Sequence, residues 1–192
     1  MLERKKNEEY RSREYLTIEE VKVLIEAAGN RGRHKQRDYC LLLLMFRHGL
    51  RAGEACRLKW DAIMFSRGII YINRLKGSMS GNHPLQSDEI SALELLRERY
   101  KEQGSYYVFV NERGKSLTVA AIQKIISRAG DAANLPIKVH PHMMRHSCGY
   151  YLADQQRPTR DIQAYLGHTN IQHTVRYTAQ NPKRFESFDW DW

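Results

Sequence analysis

Apolar residues recur at helical spacing through most of the chain. Ile18, Val21, Leu24, Ile25 and Ala28 stand three or four positions apart, the period of one helix face. Thr17 and Glu20 before them fit a capping box, and Gly29 after them fits a stop. Residues 36 to 48 are apolar nearly all round through CLLLLMF and predict a buried helix closed by Gly49. A short helix bearing Ala52, Ala55, Cys56 and Leu58 follows Arg51. Residues 69 to 73 read as a strand, 74 to 85 as a loop or hairpin, and YYVFV, 106 to 110, as a second short strand. Residues 88 to 101 read as an amphipathic helix capped by Ser87, with Ile90, Leu93, Leu95, Leu96 and Tyr100 on its apolar side. Another spans 118 to 129 with Val119, Ile122, Ile125 and Ile126 inward. Pro158 and Thr159 start a helix that stops at Gly167, and NIQHTVRYTA closes the helical part. The pattern predicts a mainly α domain with a small antiparallel β-sheet inserted early, an α+β arrangement.

Composition narrows the class. A length of 192 residues with 42% hydrophobic content fits one soluble domain with a real core. The longest apolar run, residues 40 to 46, is too short for a membrane span, and the charged start MLERKKNEEYRSRE is no signal peptide. A cytoplasmic location is expected. The net charge of +9, from 31 basic against 22 acidic residues, makes nucleic acid the expected large partner. Cys40, Cys56 and Cys148 have no CxxC spacing, so neither a disulfide scaffold nor a zinc ribbon is expected. Gly114, Lys115 and Ser116 mimic the end of a phosphate-binding loop, but Phe109 stands where that motif needs glycine.

The chemistry concentrates in VHPHMMRHSCGYYL, residues 139 to 152. With Pro141 at the first helical position, His142, Arg145 and His146 share one face. That face is cationic and rich in donors, suited to an anion such as phosphate. Met143, Met144, Cys148, Tyr151 and Leu152 supply its buried side. A zinc site is disfavoured, because the metalloprotease glutamate is missing between His142 and His146 and Arg145 would repel a cation. Arg51, bracketed by Gly49 and Gly53 with Glu54 three residues on, suits either an anion contact or a structural salt bridge, and spacing leaves both open. Lys76 sits in a Gly/Ser loop where a solvated lysine is the ordinary reading.

Taken in order, Arg51 in GLRAGE, Lys76, His142 and Arg145 in HPHMMRH, and His168 and Tyr177 in YLGHTNIQHTVRYT resemble the tyrosine recombinase, or phage integrase, family. The resemblance covers residues 15 to 180 and is most similar to the small recombinases that invert a promoter segment controlling fimbriae. It implies Tyr177 as nucleophile, Arg51 and Arg145 as a phosphate clamp, His142 and His168 as the histidine positions, and Lys76 as the β-hairpin lysine. It further implies Glu54 as a buttress for Arg51 and His146 as a second histidine after the arginine. Among 11 tyrosines, Tyr150, Tyr151 and Tyr165 lie at apolar spacing and read as core, whereas Tyr177 follows polar neighbours.

The residues suit that reaction. Making phenolate at pH 7 from a phenol of pKa near 10 costs about 4 kcal/mol, so cations or a base, with His142 a candidate, must reduce it. Two guanidiniums can receive the charge that grows on the phosphate oxygens, and Lys76 can protonate the departing 5′ oxygen. No cofactor or metal is expected. The implied partners are double-stranded DNA with inverted-repeat sites, further copies of the chain in a homotetramer, and DNA-bending accessory proteins. Residues 1 to 15, with Arg4, Lys5, Lys6, Arg11 and Arg13, are expected to form a mobile basic arm, 16 to 180 the catalytic domain, and 181 to 192 a tail whose Phe185, Phe188, Trp190 and Trp192 suit docking on a neighbour. A type IB topoisomerase and a DNA-binding regulator without strand exchange are the alternative readings.

Overall fold

A computed structural model of the chain describes residues 13–75, 77–179, 181–186 and 188–190. Helix α1, Ile18–Asn30, starts at Thr17, whose hydroxyl accepts from Glu20 N while the Glu20 carboxylate accepts from Thr17 N at 2.8 Å. Gly29 does not end it. That glycine lies inside the last turn, where a Cβ would stand 3.0 Å from the Tyr39 ring, so it admits the next helix rather than stopping this one. Helix α2, Lys35–Arg47, buries every residue from Cys40 to Phe46 and packs against α1. Each wholly buried leucine there contributes roughly 1.5–3 kcal/mol, which fixes the helix whose end feeds Gly49 and Arg51.

After the short α3, Ala52–Arg57, comes a sheet of β1, Ile63–Met64, β2, Ile69–Ile72, and β3, Gly81–Pro84, antiparallel in that order with Ile70 opposite His83. The expected strand at 106 to 110 does not form a ladder. Its amides and carbonyls bond to Leu58, Trp60 and Leu117, giving only the isolated bridges Lys59–Tyr107 and Val110–Ser116. Phe109 is buried nonetheless.

Helix α4, Ser87–Arg99, is capped by Gln86 rather than Ser87, because Glu89 reaches back 2.8 Å to Gln86 N. Its inward arc is Glu89, Ala92, Leu93 and Leu96, which leaves Leu95 on the solvent side, 62% exposed. Helix α5, Val119–Ala132, likewise buries Ile122 and Ile126 but leaves Val119, in its first turn, half exposed. Helix α6, Pro141–Asp154, α7, Thr159–Leu166, and α8, Gln172–Ala179, complete the domain, with α6 packed on both α7 and α8. Pro141 opens α6 as the sequence predicts. Met143, Met144 and Cys148 are buried, while Tyr151 is 38% exposed and Leu152 half-buried.

The boundaries differ in detail from the expected ones. Arg13 and Tyr15, assigned to a mobile arm, are held: Arg13 pairs with Glu20, and the Tyr15 ring lies 4.0 Å from that of Tyr150. Arg4, Lys5, Lys6 and Arg11 lie outside the described residues, as does Trp192. The tail is fastened by Asn181 Nδ2 to Ala153 O at 2.8 Å and by Lys183 to Asp154 at 2.7 Å. Beyond these ties Phe185, Phe188 and Trp190 stand exposed in a row, with successive ring centroids 5.3 and 6.4 Å apart.

Candidate active site

Arg145 projects from α6 into the interior and is only 4% exposed. Its Nη1 donates to Gly49 O at 2.6 Å and its Nη2 to Leu166 O at 2.7 Å. Two backbone carbonyls from distant segments thus set the guanidinium plane and leave it further N–H groups to offer. Burial, with Arg51 and Arg74 nearby, pulls its pKa down to about 10, so it stays charged at neutral pH. Arg51 is held differently. Glu54 Oε1 accepts from Arg51 Nη1 at 2.7 Å while Glu54 Oε2 accepts from Arg51 N at 2.9 Å. The side chain keeps 28% of its surface open, so the salt bridge and an anion contact coexist. Burial raises the Glu54 pKa, but Arg74 and the bonds from Arg51 outweigh it and hold the carboxyl below its ordinary value.

Tyr177 reverses the expectation drawn from its polar neighbours. It is 1% exposed, whereas Tyr150, Tyr151 and Tyr165, expected in the core, are less covered. Its burial depends on a residue of another helix: a Cβ on Gly149 would stand 2.6 Å from Tyr177 Cε2, so only glycine lets the ring lie against α6. The hydroxyl is 2.9 Å from His146 Nδ1, on the residue after Arg145. Burial pushes the phenol up to about 12 against the pull of Arg176 and Arg145. Burial, reinforced by Arg176, lowers His146 to about 4, so its ring is neutral at pH 7 and shares a hydrogen bond with the phenol whose direction its tautomer sets. His142, the base expected from the sequence, is exposed on α6 and has its ring by His140 instead.

His168 follows Gly167 at the end of α7 and is 7% exposed. Its Nδ1 lies 2.9 Å from Thr174 Oγ1, and its ring stacks on Tyr177 at 6.3 Å. Burial, with Arg145 and Arg51 next in weight, lowers its pKa to about 3. A neutral ring accepting the Thr174 proton at Nδ1 carries its own proton at Nε2 and can donate from there. Lys76 lies outside the described residues.

Sequence reasoning missed Arg74. Its guanidinium is wholly inside, 1% exposed, and donates to Gly49 O at 3.1 Å, Glu54 Oε2 at 2.9 Å, His48 O at 2.8 Å and Tyr165 O at 2.8 Å. The signal for it was present in the strand period, since Ile70, Ile72 and Arg74 occupy alternate, inward positions. Thr174, wholly buried under His168, was also missed. Among the described residues, Arg51, Glu54, Arg145, His146, His168 and Tyr177 therefore meet where α3, α6, the end of α7 and α8 converge. The set can bind an anion, present a hydroxyl to it and accept that hydroxyl's proton.

The chain is 46% identical over 184 residues to the type 1 fimbriae regulatory protein FimB of Escherichia coli K12, covering 94% of this chain and 91% of that one. It is 44% identical over 177 residues to FimE of the same strain, covering 90% and 89%. Among solved structures, XerA recombinase superposes with a TM-score of 0.78 at 28% identity, over 90% of this chain and 62% of that one. XerH bound to its difH substrate superposes with a TM-score of 0.79 at 24% identity and supports the fold, over 91% of this chain but 53% of that one. The chain thus spans most of its fimbrial relatives but little more than half of the solved recombinases. The sequence pattern of the phage integrase family matches residues 14–184, and the chain belongs to that family.

Proposed function

We propose that the chain is a site-specific DNA recombinase that cleaves and rejoins DNA through a 3′-phosphotyrosyl intermediate, inverting a promoter segment that controls fimbrial genes. One observation carries the chemistry: the Tyr177 hydroxyl is bonded to His146, next in sequence to an arginine whose guanidinium is fixed by two carbonyls. Tyr177 Oη attacks the scissile phosphorus and its proton passes to His146. The bond from phosphorus to the 5′ oxygen breaks, and that oxygen takes a proton from Lys76. Arg51 and Arg145 receive the charge growing on the non-bridging oxygens, His168 donates to them from Nε2, and His142 offers a further hydrogen bond from the start of α6. The tyrosine ester keeps the energy of the broken strand, so a second 5′ hydroxyl attacks it and reseals the DNA without ATP.

Because Tyr177 is covered within the fold, binding of the duplex must uncover its hydroxyl before cleavage. The inversion reading is supported by identity over nearly the whole length of two proteins named as fimbrial regulators. Double-stranded DNA with inverted-repeat sites is the substrate. A homotetramer forms on it, with the exposed Phe185, Phe188 and Trp190 docking on a neighbouring protomer, and DNA-bending proteins bring the sites together. The setting is the nucleoid in the cytoplasm.

The test uses candidate inverted repeats recovered by covalent capture from genomic DNA and placed on a supercoiled plasmid. Inversion with a protein–DNA adduct that disappears in Tyr177→Phe is the expected result. Relaxation without inversion would identify a topoisomerase, and binding with neither would leave a regulator without strand exchange; either overturns the proposal.

A further inference from the structure

Arg74 stands apart from the other buried charges near the site. Four N–H groups of its guanidinium are committed to Gly49 O, Glu54 Oε2, His48 O and Tyr165 O, and none of its side chain is open enough to meet a ligand. Its acceptors are the parts of the fold that set the clamp. Gly49 O is the same carbonyl that holds Arg145 Nη1. Glu54 is the carboxylate that holds Arg51. Tyr165 O belongs to the last turn of α7, next to Leu166 O, which holds Arg145 Nη2, two residues before Gly167 and three before His168. The backbone of Arg74 is itself pinned, its N donating to Ser80 Oγ at 2.9 Å, while Met79 N donates to Gly167 O at 3.1 Å.

We infer that Arg74 is a positioning residue that sets the mutual spacing of Arg51, Arg145 and His168, acting through their shared carbonyl and carboxylate partners and never on the phosphate itself. The inference rests on the reading of these residues as a phosphate clamp. A planar fork with several donors is what the role requires. The lysine ammonium has three donors on a flexible stem and cannot reproduce a fixed span across four acceptors from three segments. The functional consequence follows from the charge of the substrate. A clamp is needed in proportion to the negative charge it neutralises, so a substrate lacking that charge has little use for correct clamp spacing.

The experiment compares single-turnover cleavage by wild type and Arg74→Lys on two versions of one captured DNA site, an ordinary phosphodiester and a methylphosphonate in which a neutral methyl replaces a non-bridging oxygen. Arg74→Lys is expected to cleave the phosphodiester about 100-fold more slowly than wild type, the effect of a displacement of about 1 Å in a reacting group. On the methylphosphonate the ratio of variant to wild type approaches one, and DNA affinity is unchanged. Ser80→Ala loosens only the backbone tie of Arg74 and keeps the measurement usable where Arg74→Lys does not fold; it shows the same selective loss, several-fold in size. Equal losses on both substrates would mean that Arg74 merely supports the fold, and wild-type rates in Arg74→Lys on the phosphodiester would equally overturn the inference. Failure of the clamp reading itself looks different: wild type would then form no adduct on either substrate.

Discussion

The Tyr177 hydroxyl lies 2.9 Å from His146 Nδ1, and the ring it belongs to is 1% exposed. The two groups are thus paired within the fold, with the phenol pushed up to about 12 by burial and the imidazole down to about 4 by the same cause. In the proposed mechanism proton removal falls to His146 and not to His142. His146→Ala is expected to slow cleavage by roughly 100-fold or more, the usual contribution of a positioned base, and added imidazole to restore part of the rate. His142→Ala is expected to show no such restoration. Imidazole rescue of His142→Ala alone would reverse the assignment.

Gly149 supplies the space in which that pair forms. Gly149→Ala puts a methyl 2.6 Å from the ring carbon Cε2 of Tyr177, a contact that neither the ring nor α6 can absorb without moving. The expected cost is about 1–3 kcal/mol of stability, together with slower adduct formation at unchanged DNA affinity. Stability is read by urea unfolding and adduct formation by gel. Undiminished cleavage in this variant would show that the Tyr177–His146 pair held against α6 is not the arrangement that reacts.

What could be read in advance separates by the distance over which each feature is determined. The Thr17–Glu20 box and the Pro141 start rest on bonds or dihedrals within one turn, and both were legible. Ser87 misled because the stronger local signal, Glu89 reaching back to Gln86, lies one residue earlier. The failed strand at 106 to 110 depends on Leu58, Trp60 and Leu117 being its partners, which no local pattern states. Tyr177 was reached through the family resemblance of three ordered boxes, while its polar neighbours, set against the core tyrosines, did not foretell its burial; its cover comes from Gly149, on another helix. Arg74 was concealed by its charge, although its place in the alternation after Ile70 and Ile72 put it inside.

Glu54 joins Arg51, Arg74 and the hairpin through one carboxylate. Glu54→Gln keeps its shape and removes its charge, leaving the wholly buried Arg74 guanidinium without a counter-ion. Breaking a buried pair in this way costs on the order of 3–5 kcal/mol, and cleavage is expected to fall because Arg51 loses its restraint. Chemical denaturation checks the first effect and single-turnover cleavage the second. A loss of stability below about 1 kcal/mol would mean that water reaches Arg74.

Three histidines make stability depend on acidity. Burial is the first cause in each case, lowering His83 to about 3, His146 to about 4 and His168 to about 3, from 6.5. Above pH 6.5 both folded and unfolded chains hold these rings neutral and the groups have no effect. As pH falls below 6.5 the unfolded chain takes up protons that the folded chain refuses, so stability declines, and it continues to decline until the folded pKa values are reached. Each pH unit in that window costs about 1.4 kcal/mol per histidine. Urea unfolding between pH 7 and 4.5 should show this decline, and His83→Gln should reduce its slope by about one proton. His83 is the informative choice because it faces His48, Arg74 and Tyr165 rather than the reacting groups. A slope unchanged in His83→Gln would mean that His83 takes up its proton as readily in the folded chain as in the unfolded one.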